Sequence, residues 1–519
     1  MRGHREEKIM KRGEENYDRA GGRSQGTENG AEKGVRRLEF RGGIYAAFIP
    51  LVIFCAGVIA VFVTWMALDF QAVAMMAILG LMAGSLFCRQ FGNYWEAAGR
   101  GMANEVCVYT LLILFVVGMF GALIKACNVS HGFVWLADNI NLRGGTFAVF
   151  VFIATCIVST ATGSSFSALY SCFPIFYPAA VLLGCRPNIM AGLILAGAIF
   201  GDNLAPISDT TILSASAQEY KAHPGRSADI GQCVATRFKY SITAGIAASL
   251  VYLAIAGGYA VDEAAAKILM DNMDPKPLIM LIPVALMLGI SIKTRNIFKA
   301  IITGLAVGTV VGLASGLIGP KDILWCEGGV MEGFLYSGFS GMVGVALIIL
   351  CLNGIIGILN ESGALDALID RLMRSRMART VRGAELMLAL TQTVIATAMG
   401  GAQDPAIITM GPVFNRMGQE KGLHPTRRAN LLDGFSNSLA VTVPFLSCYV
   451  FLACQLTGGY TFIEPLTTFE VSSGMVYTVF LFAALMISVF TGWGRAYEGP
   501  DGEMVKENGE KVKHPYSIF

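Results

Sequence analysis

The sequence predicts an all-α polytopic membrane protein with about 10–12 transmembrane helices, arranged as two inverted-topology repeats with discontinuous helices and re-entrant segments. The 519 residues are 54% hydrophobic and only 15% charged, whereas soluble proteins carry about 25% charged residues. Apolar runs such as 44–66, 106–124 and 474–490 are close to 20 residues long, which suffices to cross a bilayer core of about 30 Å. Sequence similarity between the two halves of the chain indicates the repeat.

The positions of the basic residues predict how the chain crosses the membrane, because cytoplasmic loops are enriched in lysine and arginine. Residues 1–42 are polar and basic and are predicted to be a disordered cytoplasmic tail. The basic segments 221–239 and 371–382 fall inside, whereas the acidic linker 261–276 falls outside the cytoplasm. With a second cytoplasmic tail at 495–519, the pattern predicts a multi-pass protein of the plasma (inner) membrane with both termini in the cytoplasm.

Two pairs of segments define the repeat. STATGSSFS (159–167) resembles ATAMGGAQD (396–404), and GCRPNIMAGLILAG (184–197) resembles GLHPTRRANLLDG (422–434). Pro206 and Pro444 then occupy matching places, so that the first repeat covers 43–260 and the second covers 277–494. The charge pattern starts the first repeat inside and the second outside, which is the layout of many secondary transporters with a site on interrupted helices near the midplane.

The stretch FGDNLAPISDTT (200–211) breaks an apolar span with polar groups and a proline. A carboxylate at the bilayer centre costs at least about 2.5–3.5 kcal/mol, and no lysine or arginine lies between Pro187 and Lys221 to offset Asp202 and Asp209. Sodium prefers oxygen ligands, and burial favours the neutral form of a carboxyl group. Asp202 and Asp209 are therefore candidates to hold either Na⁺ or a proton. The structural alternatives are that Ser208 or Asp209 caps a helix and that Asp202 faces a solvated vestibule.

The second half supplies further candidates at the matching breaks. GGAQDPA (400–406) brings Gln403 and Asp404 into the first break, and VTVPFLSC (441–448) brings Ser447 into the second. Asp433 lies nearby, with an ordinary loop or helix-cap role as its alternative because Arg427 and Arg428 are close. Asp404 has the alternative of an Asp-Pro turn.

The segments TGSSFSALYSCFPI (162–175) and FGDNLAPISDTTILSAS (200–216) resemble the NhaC family of Na⁺/H⁺ antiporters, part of the ion transporter superfamily. The resemblance covers about residues 43–494 and implies cation binding and exchange. The implied residues are Asp202, Ser208, Asp209, Thr210 and Thr211, with Thr162, Gly163, Ser164 and Ser165 opposite them. This chain has Asn203 where the family usually has lysine, Phe166 where it has tryptophan, and Leu446 where it tends to have asparagine.

The sequence thus predicts a secondary active transporter that exchanges Na⁺ and H⁺ by alternating access. The alternative is Na⁺- or H⁺-coupled transport of a small organic anion or amino acid, with a substrate carboxylate at the half-helix N-termini. An enzyme is disfavoured, because the five histidines fall outside the clear apolar spans and HExxH is absent. A primary pump is disfavoured by the absence of a GxxxxGK[ST] loop. The expected partners are Na⁺, H⁺ and the lipid bilayer, with no nucleic acid and no cofactor.

Overall fold

The computed structural model describes residues 38–65, 67, 69–139, 142–259, 274–294, 296–373, 376–458, 460 and 463–512. Most of the predicted N-terminal tail, the linker residues 261–273 and the last seven residues of the predicted C-terminal tail lie outside the described residues. The predicted boundaries that fall there remain predictions.

The first half of the chain forms helices that follow one another with short connections. A 3₁₀ turn precedes the first helix and a π turn follows it. The helices are α1 (Ile49–Ile59), α2 (Phe70–Phe87), α3 (Phe91–Met102), α4 (Glu105–Ala126), α5 (Val129–Asn139), α6 (Gly145–Thr162), α7 (Ser165–Leu182), α8 (Pro187–Leu204), α9 (Asp209–Ser216) and α10 (Ile230–Ile255).

The second half repeats this pattern, with a small β-hairpin in one connection. Its helices are α11 (Leu281–Thr294), α12 (Ile297–Ser315), α13 (Pro320–Ile323), α14 (Phe334–Ser362), α15 (Ala364–Met373), α16 (Val381–Ala398), α17 (Gln403–Glu420), α18 (Pro425–Ser436), α19 (Cys448–Thr457), α20 (Thr468–Ser473) and α21 (Val476–Thr491). The strands β1 (Trp325–Glu327) and β2 (Val330–Glu332) pair antiparallel.

The helices confirm the predicted class of an all-α polytopic membrane protein. Within the described residues, nine helical segments are long and apolar enough to cross a membrane, and three shorter helices are also apolar. The segments Ser165–Leu182 and Pro187–Ser216 are almost wholly surrounded by protein, whereas Phe298–Ser315 is mostly exposed. Two of the segments that border the polar breaks of the first half are therefore buried within the helical domain.

The order of helices and breaks is the same in both halves. In the first half, α6 and α7 meet at a short break and α8 and α9 meet at a second one. In the second half, α16 and α17 meet at the matching position, and α18 and α19 are separated by residues 437–447. This agreement supports the repeat, while its inverted orientation in the membrane remains a prediction.

The residues after α21 pack against the helix ends. The strands β3 (Tyr497–Glu498) and β4 (Met504–Val505) form a second hairpin, and Tyr497 also bridges to Leu423 in the turn between α17 and α18. Arg495 donates a 2.6 Å hydrogen bond to the buried carboxylate of Glu385 on α16. Within the predicted C-terminal tail, residues 495–512 are therefore folded onto the helical domain.

Candidate functional site

The first break of the first half is a turn at Gly163. This residue adopts the left-handed conformation with φ 66°, which favours glycine because a side chain would be strained there. It ends α6, and Ser164 then serves as the N-cap of α7, where its hydroxyl accepts a hydrogen bond from the Ser167 amide. A Cβ at position 163 would overlap the side chain of Ile207, so the first break lies directly against the second.

The second break separates α8 from α9 at residues 205–208. Pro206 has no amide donor and ends the hydrogen-bond pattern of α8, as expected for a proline. Just before it, Gly201 allows α8 to approach α6, because a Cβ there would overlap Ser159 Cβ and the Thr160 backbone. This close approach places Asp202 beside the first break.

Asp202 is 6% exposed and is held by two serine hydroxyls from different elements. Ser165 at the start of α7 donates a 2.6 Å hydrogen bond to Asp202 Oδ2, and Ser208 donates to Asp202 Oδ1. Ser208 is the N-cap residue of α9 by position, but its side chain makes no capping hydrogen bond. The structure therefore directs this hydroxyl to the carboxylate rather than to the helix terminus.

The second half builds a matching pair of breaks. Gly400 and Gly401 both have positive φ, and the Gly400 carbonyl accepts a 3.0 Å hydrogen bond from the amide of Cys448 at the start of α19. Gln403 begins α17, and its side-chain nitrogen Nε2 donates a 2.7 Å hydrogen bond to Asn437 Oδ1. The Tyr449 hydroxyl lies 3.3 Å from Gln403 Oε1. The two breaks of this half are thus also in contact.

A cavity of about 540 Å³, here named the main cavity, connects the breaks of both halves. Nine of the sequence-predicted residues line it. They are Thr162, Gly163, Ser164, Ser165, Asp202, Asp209, Thr210, Gln403 and Asp404. Asp209, the first residue of α9, is exposed, whereas Gln403 is 2% exposed.

Five other predicted residues lie outside the cavity lining, and one of them, Thr211, accepts a 3.2 Å hydrogen bond from Arg237. Ser208 donates a hydrogen bond to Asp202 Oδ1. Asn203 donates a 2.7 Å hydrogen bond to Ser241 on α10. Ser447 caps α19 by accepting a hydrogen bond from the Val450 amide. Asp433 lies inside α18, where it forms a fully buried ion pair with Arg237. Asp433 is therefore in neither a loop nor a helix cap in this structure.

Arg237 occupies a different position from the one that its sequence context predicts. The sequence places it in a cytoplasmic loop, but it lies on α10 and is fully buried. Besides the ion pair, it donates to the Asn203 carbonyl at 2.7 Å, to Thr211 at 3.2 Å and to Asn430 at 3.1 Å. A charged residue close to a helix start looks like a loop residue in sequence, and only the packing of α10 against α18 identifies its partner.

The cavity also has lining residues that the sequence does not single out. Tyr449 lines the cavity and directly follows Ser447 and Cys448. Its position next to a predicted break could therefore have identified it from the sequence. Glu105 and Tyr109 at the start of α4, and Ser291 on α11, come from helices without any break. Their place in the cavity wall depends on how the helices pack, which the sequence pattern does not show.

The oxygen atoms around Asp202 fit a hard monovalent cation better than a transition metal. Serine and threonine hydroxyls and carboxylates surround the cavity, and these are ligands of hard cations. Among the described residues, no cluster of three or more histidine, cysteine, aspartate or glutamate side chains is placed to hold a metal ion. A cation bound here would therefore need hydroxyl or carbonyl oxygens in addition to carboxylates.

A multi-pass helical protein with broken helices that meet at a polar central cavity belongs to the class of secondary transporters. The family model for the Na⁺/H⁺ antiporter family matches residues 38–225 and 261–493, and the chain belongs to this family. It is accordingly a secondary antiporter and not an enzyme.

Relatives within this class carry several names. An uncharacterized Na⁺/H⁺ antiporter of Haemophilus influenzae is 23% identical over 75% of this chain and 85% of its own length. The arginine/ornithine antiporter ArcD of Halobacterium salinarum is 24% identical over 85% of this chain and 92% of its own length. The malate-2H⁺/Na⁺-lactate antiporter of Bacillus subtilis is 23% identical over 66% of this chain and 72% of its own length.

Among solved structures, Neisseria gonorrhoeae MtrF aligns with 85% of this chain and 97% of its own, at 13% identity and a TM-score of 0.40.

Proposed function

We propose that this protein exchanges Na⁺ for H⁺ at the main cavity and that Asp202 carries either one in turn. The observation that carries the proposal is the position of Asp202, a buried carboxylate on the cavity wall held by two hydroxyls from separate broken elements. The family membership supports the same class of cargo.

The chemistry follows from the groups around this carboxylate. A carboxylate oxygen that binds a proton has lost the charge that holds a sodium ion, so the two cargoes compete. Ser165 and Thr210 supply further hydroxyl oxygens in the cavity, and Asp209 supplies a second carboxylate. Hydroxyl and carboxylate oxygens are the ligands that a small hard cation prefers. Sodium enters in this scheme as cargo, and the protein uses no cofactor.

The repeated breaks suggest how the site is exposed to each side. The two halves contribute matching pairs of breaks, and rocking of one half against the other would open the same cavity alternately to the two sides. In this proposal the protein lies in the inner membrane with both termini in the cytoplasm.

A second candidate is coupled transport of a small organic solute, with Na⁺ or H⁺ as the coupling ion. The size of the main cavity favours it, because about 540 Å³ lies within the range of about 300–1,000 Å³ typical of small-molecule sites. The names of two relatives, which refer to arginine and ornithine and to malate and lactate, point in the same direction. The sequence alternative of an organic anion or amino acid therefore stays open as cargo.

Reconstitution in liposomes tests the proposal. The purified protein is placed in vesicles that contain a pH-sensitive dye, and a sodium gradient is applied across the membrane. We expect a sodium-dependent change of internal pH. Asp202→Asn should abolish it, because the amide binds neither a proton nor sodium with comparable strength. Asp370→Asn is the matched control, since Asp370 is exposed on α15 and is not part of the cavity lining.

Two results would contradict the proposal. One is the absence of any sodium-dependent pH change together with sodium-driven uptake of a labelled amino acid or organic acid, which would favour the second candidate. The other is normal exchange by the Asp202→Asn variant, which would remove Asp202 from the mechanism.

A further inference from the structure

The charge of the main cavity restricts the kind of organic molecule that it can accept. Four carboxylates line it, from Glu105, Asp202, Asp209 and Asp404, and none of its described lining residues is lysine, arginine or histidine. An organic anion would add a further negative charge to this group in a partly desolvated space, where like charges repel more strongly than in water. The lining is therefore suited to cations.

Asp404 has unused binding capacity on this wall. Its Oδ1 atom is buried and has no hydrogen-bond partner among the described residues. The neighbouring Gln403 is already occupied, because its amide nitrogen donates to Asn437 and its oxygen accepts from Tyr449. A buried acceptor without a partner is costly, so a donor or cation supplied by a ligand would stabilise Asp404.

Two aromatic rings line the main cavity together with Asp404 and come from different halves of the chain. Phe166 on α7 and Tyr449 on α19 are stacked, with ring centroids 5.0 Å apart and an angle of 20° between the rings. Each stacked ring keeps one face turned away from the other, and both residues line the main cavity. The face of an aromatic ring attracts cations, and alkylated ammonium groups most characteristically.

A small, mostly apolar recess continues from the same two rings. This side recess has a volume of about 70 Å³ and shares Phe166, Tyr449 and Asp404 with the main cavity. Its other walls combine the aliphatic side chains of Ile349, Leu352 and Ile356 on α14 with the polar side chains of Thr110 and Asn353. A sodium ion gains nothing from the aliphatic side chains, whereas the hydrocarbon part of an organic molecule does.

We propose that the main cavity contains a second cargo subsite for an organic cation, with its ammonium group at Asp404 against a free face of the stacked Phe166–Tyr449 pair and its hydrocarbon part in the side recess. This subsite lies next to the sodium site at Asp202. The inference rests on the proposed function, because it treats both as cargo sites of one antiporter. Organic cations and sodium would then compete, because both reduce the negative charge of the same cavity.

Three probes with the same number of non-hydrogen atoms test the subsite. They are butyltrimethylammonium, which cannot carry a proton across the membrane, hexanoate and hexanamide. Binding is measured as a shift of the thermal unfolding temperature of the full-length protein in detergent, and competition is measured as inhibition of the sodium-dependent pH change in liposomes. We expect butyltrimethylammonium to bind and to compete with sodium, and the other two to do neither at a tenfold higher concentration.

Substitutions locate the binding. The result is expressed as the ratio of the half-maximal concentration of butyltrimethylammonium to that of sodium, both measured in the same variant. Phe166→Leu and Tyr449→Leu should raise this ratio by about tenfold. Phe115→Leu is the matched control and should leave this ratio unchanged, because Phe115 stacks on Phe339 at 4.5 Å outside both cavities.

The two readouts separate the failure of this inference from that of sodium exchange. Thermal-shift binding does not require transport, so binding of the ammonium probe without any sodium-dependent pH change would support the subsite and overturn only Na⁺/H⁺ exchange. Equal or stronger binding of hexanoate would overturn the subsite. The same conclusion would follow if Phe166→Leu and Phe115→Leu had equal effects, or if the ammonium probe did not bind.

Discussion

Arg237 of α10 and Asp433 of α18 form an ion pair in which both side chains are fully buried. The same guanidinium donates to the carbonyl of Asn203, one residue after Asp202. That carbonyl lies in the last turn of α8, where backbone acceptors lack helical partners. The pair therefore connects the break next to the proposed sodium site with a helix of the other half.

Removing only the acidic member of this pair should destabilise the protein strongly. In Asp433→Asn the Arg237 guanidinium stays buried without its counter-charge, and loss of one partner from a buried ion pair costs about 3–5 kcal/mol. The unfolding temperature of the detergent-solubilised variant should fall accordingly. The double variant Arg237→Met/Asp433→Leu should lose less stability, because no unpaired charge remains. A double variant less stable than Asp433→Asn would contradict this explanation.

The two serines that hold Asp202 should tune the sodium affinity. In Ser208→Ala, Asp202 Oδ1 loses its donor, and hydrogen bonds to charged groups contribute about 1.5–3 kcal/mol. We expect the sodium concentration for half-maximal exchange in liposomes to rise by about tenfold or more, because a carboxylate that has lost a donor holds a proton more strongly against sodium. Ser165→Ala should act in the same direction, because it removes the donor to Oδ2. Ser216→Ala is the control, since its hydroxyl donates only to the Leu213 carbonyl on an exposed surface. Equal sodium dependence in all three variants would show that the serines have no role in binding.

The sequence predicts the breaks well, because their signals are local. Gly163 and Pro206 have conformational preferences that do not depend on the rest of the chain, and both lie where the helices end. The repeat adds the matching break at Gly400 and so predicts that Gln403 and Asp404 belong to the same region, as found.

The sequence predicts less well which polar groups meet one another. Arg237 and Asp433 are nearly 200 positions apart, and neither residue has a local feature that identifies its partner. Asp433 appears next to Arg427 and Arg428 in sequence, yet these arginines contact other groups, including Glu385 for Arg427. Glu105 reaches the cavity only because α4 packs beside it. Such pairings depend on how helices pack, which periodicity and charge patterns do not specify.

Gly201 should tolerate no side chain, although it lies in a regular helix. Alanine normally stabilises a helix relative to glycine by roughly 0.5–1 kcal/mol. In Gly201→Ala, however, the new methyl group would overlap Ser159 and the Thr160 backbone on α6, so the two helices must separate. We expect a lower unfolding temperature and reduced exchange, because Asp202 would move away from Ser165.

Gly92→Ala provides the comparison for this substitution. Gly92 lies in α3 and is exposed, and a methyl group added there would have open space for 4 Å around it. This variant should be as stable as the parent protein or slightly more stable, and it should exchange normally. If both glycine variants behaved alike, the close approach of α6 and α8 would not be needed for the site.

His424 should make the stability of the protein depend on pH. It lies in the turn between α17 and α18, is 1% exposed, and its Nδ1 accepts a 3.2 Å hydrogen bond from the Thr426 amide. Burial lowers the pKa of His424 from 6.5 to about 4. The unfolded chain therefore binds a proton at His424 at a higher pH than the folded protein does. The free energy of unfolding should thus fall as the pH decreases from about 6.5 to about 4, by on the order of 3 kcal/mol at most.

Thermal unfolding across this pH range measures the effect of His424. Asparagine also caps helices well, so His424→Asn should keep the start of α18 intact while removing the titrating group. Between pH 6.5 and 4, the unfolding temperature of the variant should fall less than that of the parent protein. The difference between the two in this fall should be largest at the acidic end. His223→Asn, at an exposed histidine, should retain the pH dependence of the parent. A His424→Asn variant whose unfolding temperature falls with pH as steeply as that of the parent would show that other groups cause the acid sensitivity.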